Sequence, residues 1–335
     1  MQPKDLEAGI RAFEYKDYKT ALEILIPLAE QGNAEAQYKV ALAFDVGLGV
    51  SKNCVGAVKW YRSAAKQENA KAQYMLGRAY RLGEGVEQDY VEAAKWCRLA
   101  AEQGHVHAQC TLGIVYESGQ GFEQDYVEAA KWFFLAAKQG FDQAQFKLGQ
   151  AYTFGRGVGQ DFAEAVTWFF LAAKQGDAAA QYSLGLLYGC GKGVKQDYVE
   201  AATWFRFAAE RGHAGAQSKL GRMYRVGEGV EQDYVEEVRW FRFAAERGHA
   251  EAQSDLGLAY MTGKGVKQDN VEAAKWHRLA AEQGDAEAQS ALGLFYLVGQ
   301  GVKQDDAEAV KWLCLAAEQG DVQAHSALRQ MGVIA

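Results

Sequence analysis

The chain has 335 residues, a formal net charge of −7 at pH 7 and an isoelectric point near 5.5. Nucleic acid and anionic membranes are bound through a basic surface, so neither is expected to be the main partner of so acidic a chain. No apolar run approaches the roughly 18 residues that a membrane span needs. Residues 1 to 12 also lack the basic and apolar regions of a signal peptide. We therefore expect no membrane insertion.

The eight tryptophans follow one another at a constant spacing of 36 residues. They are Trp60, Trp96, Trp132, Trp168, Trp204, Trp240, Trp276 and Trp312. A constant period of this length indicates one supersecondary unit copied end to end, each copy burying its apolar face against its neighbours. The stability of such an array is roughly a sum of repeat and neighbour terms. The sequence therefore predicts one elongated domain without an internal boundary.

The first helix of each repeat, helix A, is predicted from an apolar stripe. In residues 69–104 the stripe consists of Ala72, Leu76 and Tyr80, which fall at helical spacing. Gly77 has no side chain, so a neighbouring helix can approach closely there. Helix A should end at Gly83, because glycine readily takes the left-handed conformation that closes a helix.

The second helix, helix B, is predicted to begin at a capping box formed by Asp89 and Glu92. In this motif the first side chain accepts a hydrogen bond from the amide three residues on, and the second reaches back. Trp96 and Leu99 belong to the predicted buried stripe of helix B, which should end near Gly104. Stacked hairpins of this kind predict an all-α, right-handed α/α solenoid superhelix, with the A helices lining its concave face.

The motifs of one repeat identify a family. The pattern A-x-A-Q-x-x-L-G-x-x-Y, followed by G-x-G-V-x-Q-D-Y-x-E-A-x-K-W and A-A-x-Q-G, resembles the Sel-one-like repeat (SLR) family, a relative of the tetratricopeptide repeats (TPR). Eight repeats are predicted, at residues 33–68, 69–104, 105–140, 141–176, 177–212, 213–248, 249–284 and 285–320. Residues 1–32 resemble the TPR-like N-terminal hairpin of the family. Residues 321–335 keep only a final A helix, which we expect to cap the array.

The resemblance implies an adaptor that binds other proteins or peptides, without enzymatic activity or a cofactor. Members act mostly in bacterial envelopes, secretion and signalling, and in endoplasmic-reticulum quality control. The N-terminal hairpin resembles those that follow signal peptides in envelope members, so we expect a periplasmic or secreted location, with the cytoplasm as the alternative. A monomer is favoured. Function should lie on surface positions where the copies differ.

The concave groove is the predicted binding surface. Helix-A positions equivalent to 71, 74, 78, 81 and 82 should point into it, and they vary between the copies. Aromatic residues and arginines, which dominate interface hot spots, are frequent at these positions. The predicted partner-binding residues are Tyr38, Lys71, Tyr74, Arg78, Arg81, Phe146, Phe154, Tyr182, Arg222 and Arg225. We hypothesise that a partner segment lies in the groove, with the aromatic residues anchoring it and the arginines pairing its acidic groups.

Two features of the predicted groove leave alternatives open. One alternative is that the aromatic residues complete the packing between repeats. Another is that they stack on sugar rings, as in a binder of cell-wall glycan or peptidoglycan. Beyond Tyr182 the position equivalent to Tyr74 is serine, and the groove becomes apolar. The residues concerned are Ser218, Ser254, Ser290 and Ser326, with Leu258, Met261, Leu294, Leu297 and Val298.

Two residue groups suggest chemistry that the rest of the sequence does not support. Residues 63–66 match S-x-x-K, the nucleophile motif of penicillin-recognising enzymes. Some SLR relatives have been linked to β-lactam recognition, but the chain contains no K-T-G or S-D-N companion, so a β-lactam-interacting hydrolase is the least favoured alternative. Cys97, His105, His107 and Cys110 are zinc-ligand types. They should come from helices that point in different directions, so we predict no metal and no catalytic residues.

Overall fold

The computed structural model describes the backbone of residues 3 to 334 and the side chains of residues 5 to 334. Over this range the chain forms 19 α-helices and no strand. The helices are α1 (Pro3–Glu14), α2 (Tyr18–Glu30), α3 (Ala34–Val46), α4 (Cys54–Ala65), α5 (Ala70–Leu82), α6 (Tyr90–Glu102), α7 (Val106–Ser118), α8 (Tyr126–Lys138), α9 (Asp142–Phe154), α10 (Phe162–Lys174), α11 (Ala178–Cys190), α12 (Tyr198–Glu210), α13 (Ala214–Val226), α14 (Tyr234–Ala245), α15 (Ala250–Thr262), α16 (Asn270–Glu282), α17 (Ala286–Val298), α18 (Asp306–Glu318) and α19 (Val322–Gln330). The predicted all-α class is confirmed.

From α3 onward the helices alternate as predicted, with odd-numbered A helices and even-numbered B helices. Their internal contacts divide them into two compact units, the first ending at Leu171 and the second beginning at Ala172. Inside each unit, the A helices pack against the B helix that precedes them and the B helix that follows. The helix hairpin is therefore the structural repeat of both units.

Glycines close the A helices and bring the turns of neighbouring repeats together. Gly83 ends α5 in the left-handed conformation, with φ 72°, and its N–H donates to the carbonyl of Ala79. The predicted helix end is thus confirmed. Gly85 also has φ 72°, and a Cβ built on it would lie 2.2 Å from the carbonyl oxygen of Cys54. The second glycine is required because the turn lies against the first turn of the preceding B helix.

At the start of helix B one of the two hydrogen bonds of the predicted capping box is present and the other is not. Asp89 caps α6 as expected, because its Oδ1 accepts from the N–H groups of Val91 at 2.9 Å and Glu92 at 3.0 Å. The N–H of Asp89 donates instead to the carbonyl of Tyr80 at 3.0 Å. Glu92 pairs with Lys95 at 2.8 Å. The reciprocal bond was wrongly predicted, because helix A already supplies the acceptor.

The buried face of helix B contains Cys97 and not Leu99, which was predicted to be buried. Leu99 is 43% exposed, so its placement in the buried stripe was wrong, whereas Cys97 is buried against Gly77 as the missing side chain of that glycine allows. The position of Cys97 forms the centre of most other hairpins as well. It holds Tyr61, Phe133, Phe169, Phe205, Phe241, His277 and Leu313 in the other copies. We call this position the B-core position.

The repeated Ala-Gln pair joins successive hairpins. Gln73 is buried, and its Nε2 donates to the carbonyl of Ala65 at 3.1 Å. Its Oε1 accepts from Nε2 of Gln103, 30 residues further along, at 2.8 Å. Buried amides need such partners, since an unsatisfied polar group costs about 1–3 kcal/mol. These glutamines therefore have a structural role.

Candidate interaction surfaces on the A helices

Two of the predicted arginines of the first unit have different surroundings. Arg78, on α5, pairs with Glu84 at 3.1 Å and with Asp45 at 3.7 Å. Arg81 is exposed, and no described carboxylate lies within ion-pair distance of it. Arg78 is thus neutralised by its own chain, whereas Arg81 presents a cation to solvent.

The predicted arginines of the second unit belong to a partly buried ion network. Arg225 pairs with Glu237 at 2.5 Å and with Asp255 at 2.9 Å. Arg222 reaches the other oxygen of Asp255 at 3.0 Å and Glu251 at 3.3 Å. The side chains of Glu237 and Asp255 are only 5% and 10% exposed. Burial raises the pKa of Glu237, and the guanidinium of Arg225 opposes this shift. Both arginines therefore compensate buried carboxylates.

Two of the predicted aromatic residues pack on the B-core position of their own repeat. The ring centroids of Tyr38 and Tyr61 are 6.2 Å apart, and those of Phe146 and Phe169 are 5.7 Å apart. Lys71 lies with its Nζ 5.7 Å from the centroid of Tyr38 and 3.9 Å from Glu35. The structure thus uses Tyr38 and Phe146 in packing between helices A and B.

Two further tyrosines stack on a histidine of the next repeat. Tyr74 lies 4.9 Å from His105, with 27° between the ring planes, and Tyr182 lies 4.5 Å from His213, with 23°. Each histidine also caps its A helix by accepting a backbone N–H at Nδ1. The imidazole covers one face of each tyrosine ring, so both tyrosines already have a stacking partner within the chain. The geometry therefore gives the glycan-binding alternative no support at these tyrosines.

Phe154 is the exposed aromatic residue of the predicted set, with 61% of its surface accessible. It lines a cavity of about 250 Å³ in the first unit. The guanidinium carbon of Arg156 lies 5.3 Å from its ring centroid and 5.9 Å from that of Tyr126. On another side of the cavity Lys147 and Glu117 form an ion pair at 2.8 Å. This site offers an apolar ring surrounded by charged groups.

The position of Phe154 recurs as the last residue of other A helices, directly before the glycine that ends the helix. Large apolar side chains occupy it five times, with 45% to 64% of their surface exposed. These residues, which we call the A-end row, are Val46, Leu82 and Phe154 in the first unit and Val226 and Val298 in the second. Only Phe154 was among the predicted partner-binding residues. The sequence also placed the positions equivalent to Leu82 in the groove and named Val298 among its apolar residues, but it did not single out the row.

Members of the A-end row also line cavities in the second unit. Val226 lines a cavity of about 350 Å³ between α11 and α13, over Phe205. Val298 lines a larger cavity of about 870 Å³, which we call the C-terminal cavity, between α15, α17 and α19. Its apolar lining consists of Leu258, Met261, Ala291, Leu294, Phe295, Val298 and Val322.

His277 lines the C-terminal cavity from helix α16. It occupies the B-core position and is 3% exposed, and neither of its ring nitrogens has a hydrogen-bond partner. Burial lowers the pKa of His277 to about 4. Asp255, the acidic lining residue on α15, is already paired with Arg222 and Arg225. His277 is therefore neutral at pH 7.

We expect the second unit to lose stability as the pH drops, because His277 then becomes protonated. The unfolded chain takes up the proton near the ordinary value of 6.5 and the folded chain only near 4. The contribution of neutral His277 is thus complete above pH 6.5 and is lost between 6.5 and 4, by about 3 kcal/mol. Urea unfolding of wild type and His277→Phe should show a stability difference that grows as the pH falls. A difference independent of pH would contradict this assignment.

The residues considered for other chemistry lie apart or have structural partners. The hydroxyl of Ser63 donates to the carbonyl of Lys59 at 3.2 Å, and within the described chain no hydrogen bond joins it to Lys66. All five cysteines are free, and burial raises the pKa of the Cys97 and Cys110 thiols to about 12. Among residues 5 to 334, no three His, Cys, Asp or Glu side chains form a group that could hold a metal ion. No helix in this range has both the length and the apolar character needed to cross a bilayer.

Comparison with known proteins places this geometry in a family. The model of the Sel1 repeat matches residues 34–69, 70–105, 106–141, 142–177, 178–213, 214–249, 250–285 and 286–321. The chain is 38% identical to c5321, a protective antigen of uropathogenic Escherichia coli strains with an SLR fold, over 92% of this chain and 67% of that chain, with a TM-score of 0.88. It is 34% identical to a Sel1 repeat protein from Oxalobacter formigenes, over 98% and 93% of the two chains, with a TM-score of 0.73. No curated protein sequence matches the chain.

Proteins built from Sel1 repeats are generally scaffolds for protein–protein interaction and are typically non-catalytic. The eight matched repeats cover most of this chain, and both solved relatives share more than 30% of its residues. The chain therefore belongs to the Sel1 repeat family.

Proposed function

We propose that this protein is a non-catalytic scaffold that binds a segment of a partner protein on the A-helix faces of its units. The A-end row supplies the apolar contacts, and the cavities beside it receive side chains of the partner. Arg81 is the predicted arginine that remains available to an acidic group, because Arg78, Arg222 and Arg225 pair with carboxylates of the chain.

The observation that carries this proposal is the exposure of the A-end row beside the cavities. Phe154 and Val226 are about three-fifths exposed, at 61% and 60%, although each stands at the edge of a cavity. Exposed apolar side chains next to a concavity are typical of sites where a partner docks. Exposed valines also recur in helix B, including Val199 and Val235, but none of the cavities described above is lined by these two residues.

Photo-cross-linking in cells that make the protein tests which face a partner contacts. A photoreactive phenylalanine analogue at position 154 or 226 should give a discrete adduct with the same partner, and at 199 or 235 it should not. With that partner purified, Phe154→Asp and Val226→Asp should each weaken binding by about tenfold or more, because a charge replaces an apolar contact.

Val199→Asp and Val235→Asp are the controls, since these valines are 63% and 65% exposed. Val235 lies on helix B of the hairpin that contains Val226, and Val199 lies on helix B of the preceding hairpin. They should fold equally well and bind normally. Equal loss of binding in both sets, or adducts from helix B alone, would contradict the assignment of the A-helix face.

A further inference from the structure

The C-terminal cavity exists because an aromatic ring that fills the corresponding space in other repeats is absent here. The A-helix ring packs on the B-core ring at 6.2 Å in the pair Tyr38 and Tyr61, and at 5.7 Å in the pair Tyr182 and Phe205. The corresponding pair on α15 and α16 is Ser254 and His277. A serine hydroxyl does not reach over the imidazole, so the space above His277 stays open.

A neighbouring repeat with the same serine shows a different solution. In that hairpin the pair is Ser218 and Phe241, and the guanidinium carbon of Arg225 lies 4.9 Å from the centroid of Phe241. The residue equivalent to Arg225 in the next repeat is Met261, which lines the cavity. The repeat that contains His277 therefore lacks both the aromatic ring and the cation that cover the B-core position elsewhere.

His277 brings unsatisfied hydrogen-bonding groups to this open space. Its ring packs against Gly257 and contacts the edge of Phe295, with the ring centroids 5.7 Å apart, and neither nitrogen has a partner. A neutral imidazole has one donor and one acceptor. Phenylalanine, which stands at this position in four other copies, would avoid the cost of about 1–3 kcal/mol for an unsatisfied buried group. Both nitrogens are buried, so an occupant of the cavity satisfies one of them only when the imidazole turns toward the cavity.

The charged groups of the lining favour a cationic occupant. Asp255, Glu287 and Asp321 line the C-terminal cavity, and its lining contains no lysine or arginine. Asp255 is paired with arginines, and Asp321 accepts from the Ser290 hydroxyl at 2.9 Å and caps α19. Glu287 is exposed and pairs with no cation among the described residues. A carboxylate entering this site would meet like charges, whereas a lysine or arginine would not.

We propose that the C-terminal cavity binds a tyrosine or tryptophan side chain of a partner segment, which occupies the missing aromatic position and hydrogen-bonds His277, with a basic residue beside it near Glu287. This proposal rests on the scaffold function and names the chemistry of one of its contacts. The cavity volume of about 870 Å³ accommodates the ring together with neighbouring residues of the segment.

Short blocked peptides test the proposal on the full chain. Acetyl-Lys-Tyr-Lys-amide should bind saturably and shift the imidazole nitrogen resonances of His277 in NMR spectra. The Lys-Phe-Lys analogue, which lacks the hydroxyl, and the Glu-Tyr-Glu analogue, which reverses the charge, should each bind about tenfold more weakly. Equal binding of the three peptides, or binding without a change at His277, would overturn the proposal.

Two variants locate the site. Ser254→Tyr should fill the cavity with the chain's own ring and abolish peptide binding, while Ser118→Tyr adds the same side chain to α7, outside the cavity, and should leave binding unchanged. His277→Phe should remove the tenfold preference for Tyr over Phe. Peptide binding that survives Ser254→Tyr would place the peptide elsewhere.

The outcome is separable from that of the scaffold proposal. If the peptides fail to bind while cross-links form at positions 154 and 226, the cavity assignment is wrong and the scaffold function stands. If the peptides bind as expected but no partner contacts the A-end row, the scaffold assignment is wrong and the cavity remains a binding site.

Discussion

Gly157→Ala should destabilise the first unit by about 3–5 kcal/mol, the range of the most damaging single substitutions. Gly157 has φ 74°, and a Cβ built on it would lie 1.8 Å from the carbonyl oxygen of Tyr126 and 2.8 Å from the amide nitrogen of Val127. This backbone is fixed, because the N–H of Val127 donates to the capping carboxylate of Asp125 at 2.8 Å. Urea unfolding followed by circular dichroism should show a clearly lower midpoint.

Gly104→Ala separates the steric effect from the conformational one. Gly104 also lies in the first unit and has φ 85°, but no heavy atom lies within 4 Å of its added Cβ. Its substitution should therefore cost only the left-handed conformation, about 1–2 kcal/mol. If the two variants were equally stable, close contact between the turn and the preceding B helix would not be what requires the second glycine.

The local features of the repeat could be read from the sequence because each depends on residues close together in the chain. Helix ends at Gly83 and helix starts at Asp89 follow from backbone conformation and capping, and the 36-residue period places every copy. The sequence-based predictions failed where a residue from another helix takes the place of the expected local contact. Tyr80 supplies the acceptor expected from Glu92, and the face of α6 that packs on Gly77 contains Cys97 and not Leu99.

The surface of the A helices was harder to predict because side-chain partners lie in other helices. Periodicity predicts that Arg222 and Arg225 face away from the apolar stripe, but it does not show that Asp255 lies within reach. One signal was present, since Arg225 and Asp255 are 30 residues apart, the same separation as in the Gln73 and Gln103 pair. The C-terminal cavity needed two observations together, serine at position 254 and histidine at the B-core position.

Arg225→Ala should destabilise the second unit by about 3–5 kcal/mol, because removing one member of a buried ion network leaves its partners uncompensated. Glu237 would lose its ion-pair partner at 2.5 Å, and Asp255 would keep only Arg222. Arg81→Ala is the matched control, since Arg81 occupies the equivalent position of α5 without a described ion pair. Its cost should stay within about 0.5 kcal/mol.

A second substitution shows whether the cost arises from the buried carboxylate. The position of Glu237 is occupied by alanine in the seven other repeats. Glu237→Ala therefore restores the ordinary residue of the repeat. Arg225→Ala combined with Glu237→Ala should then be more stable than Arg225→Ala alone, by about 1–3 kcal/mol, because the uncompensated charge is gone. Chemical unfolding of the four proteins in this cycle measures the coupling. Purely additive effects, or an Arg225→Ala variant of normal stability that no longer binds the partner, would return Arg225 to the role of a partner-binding residue.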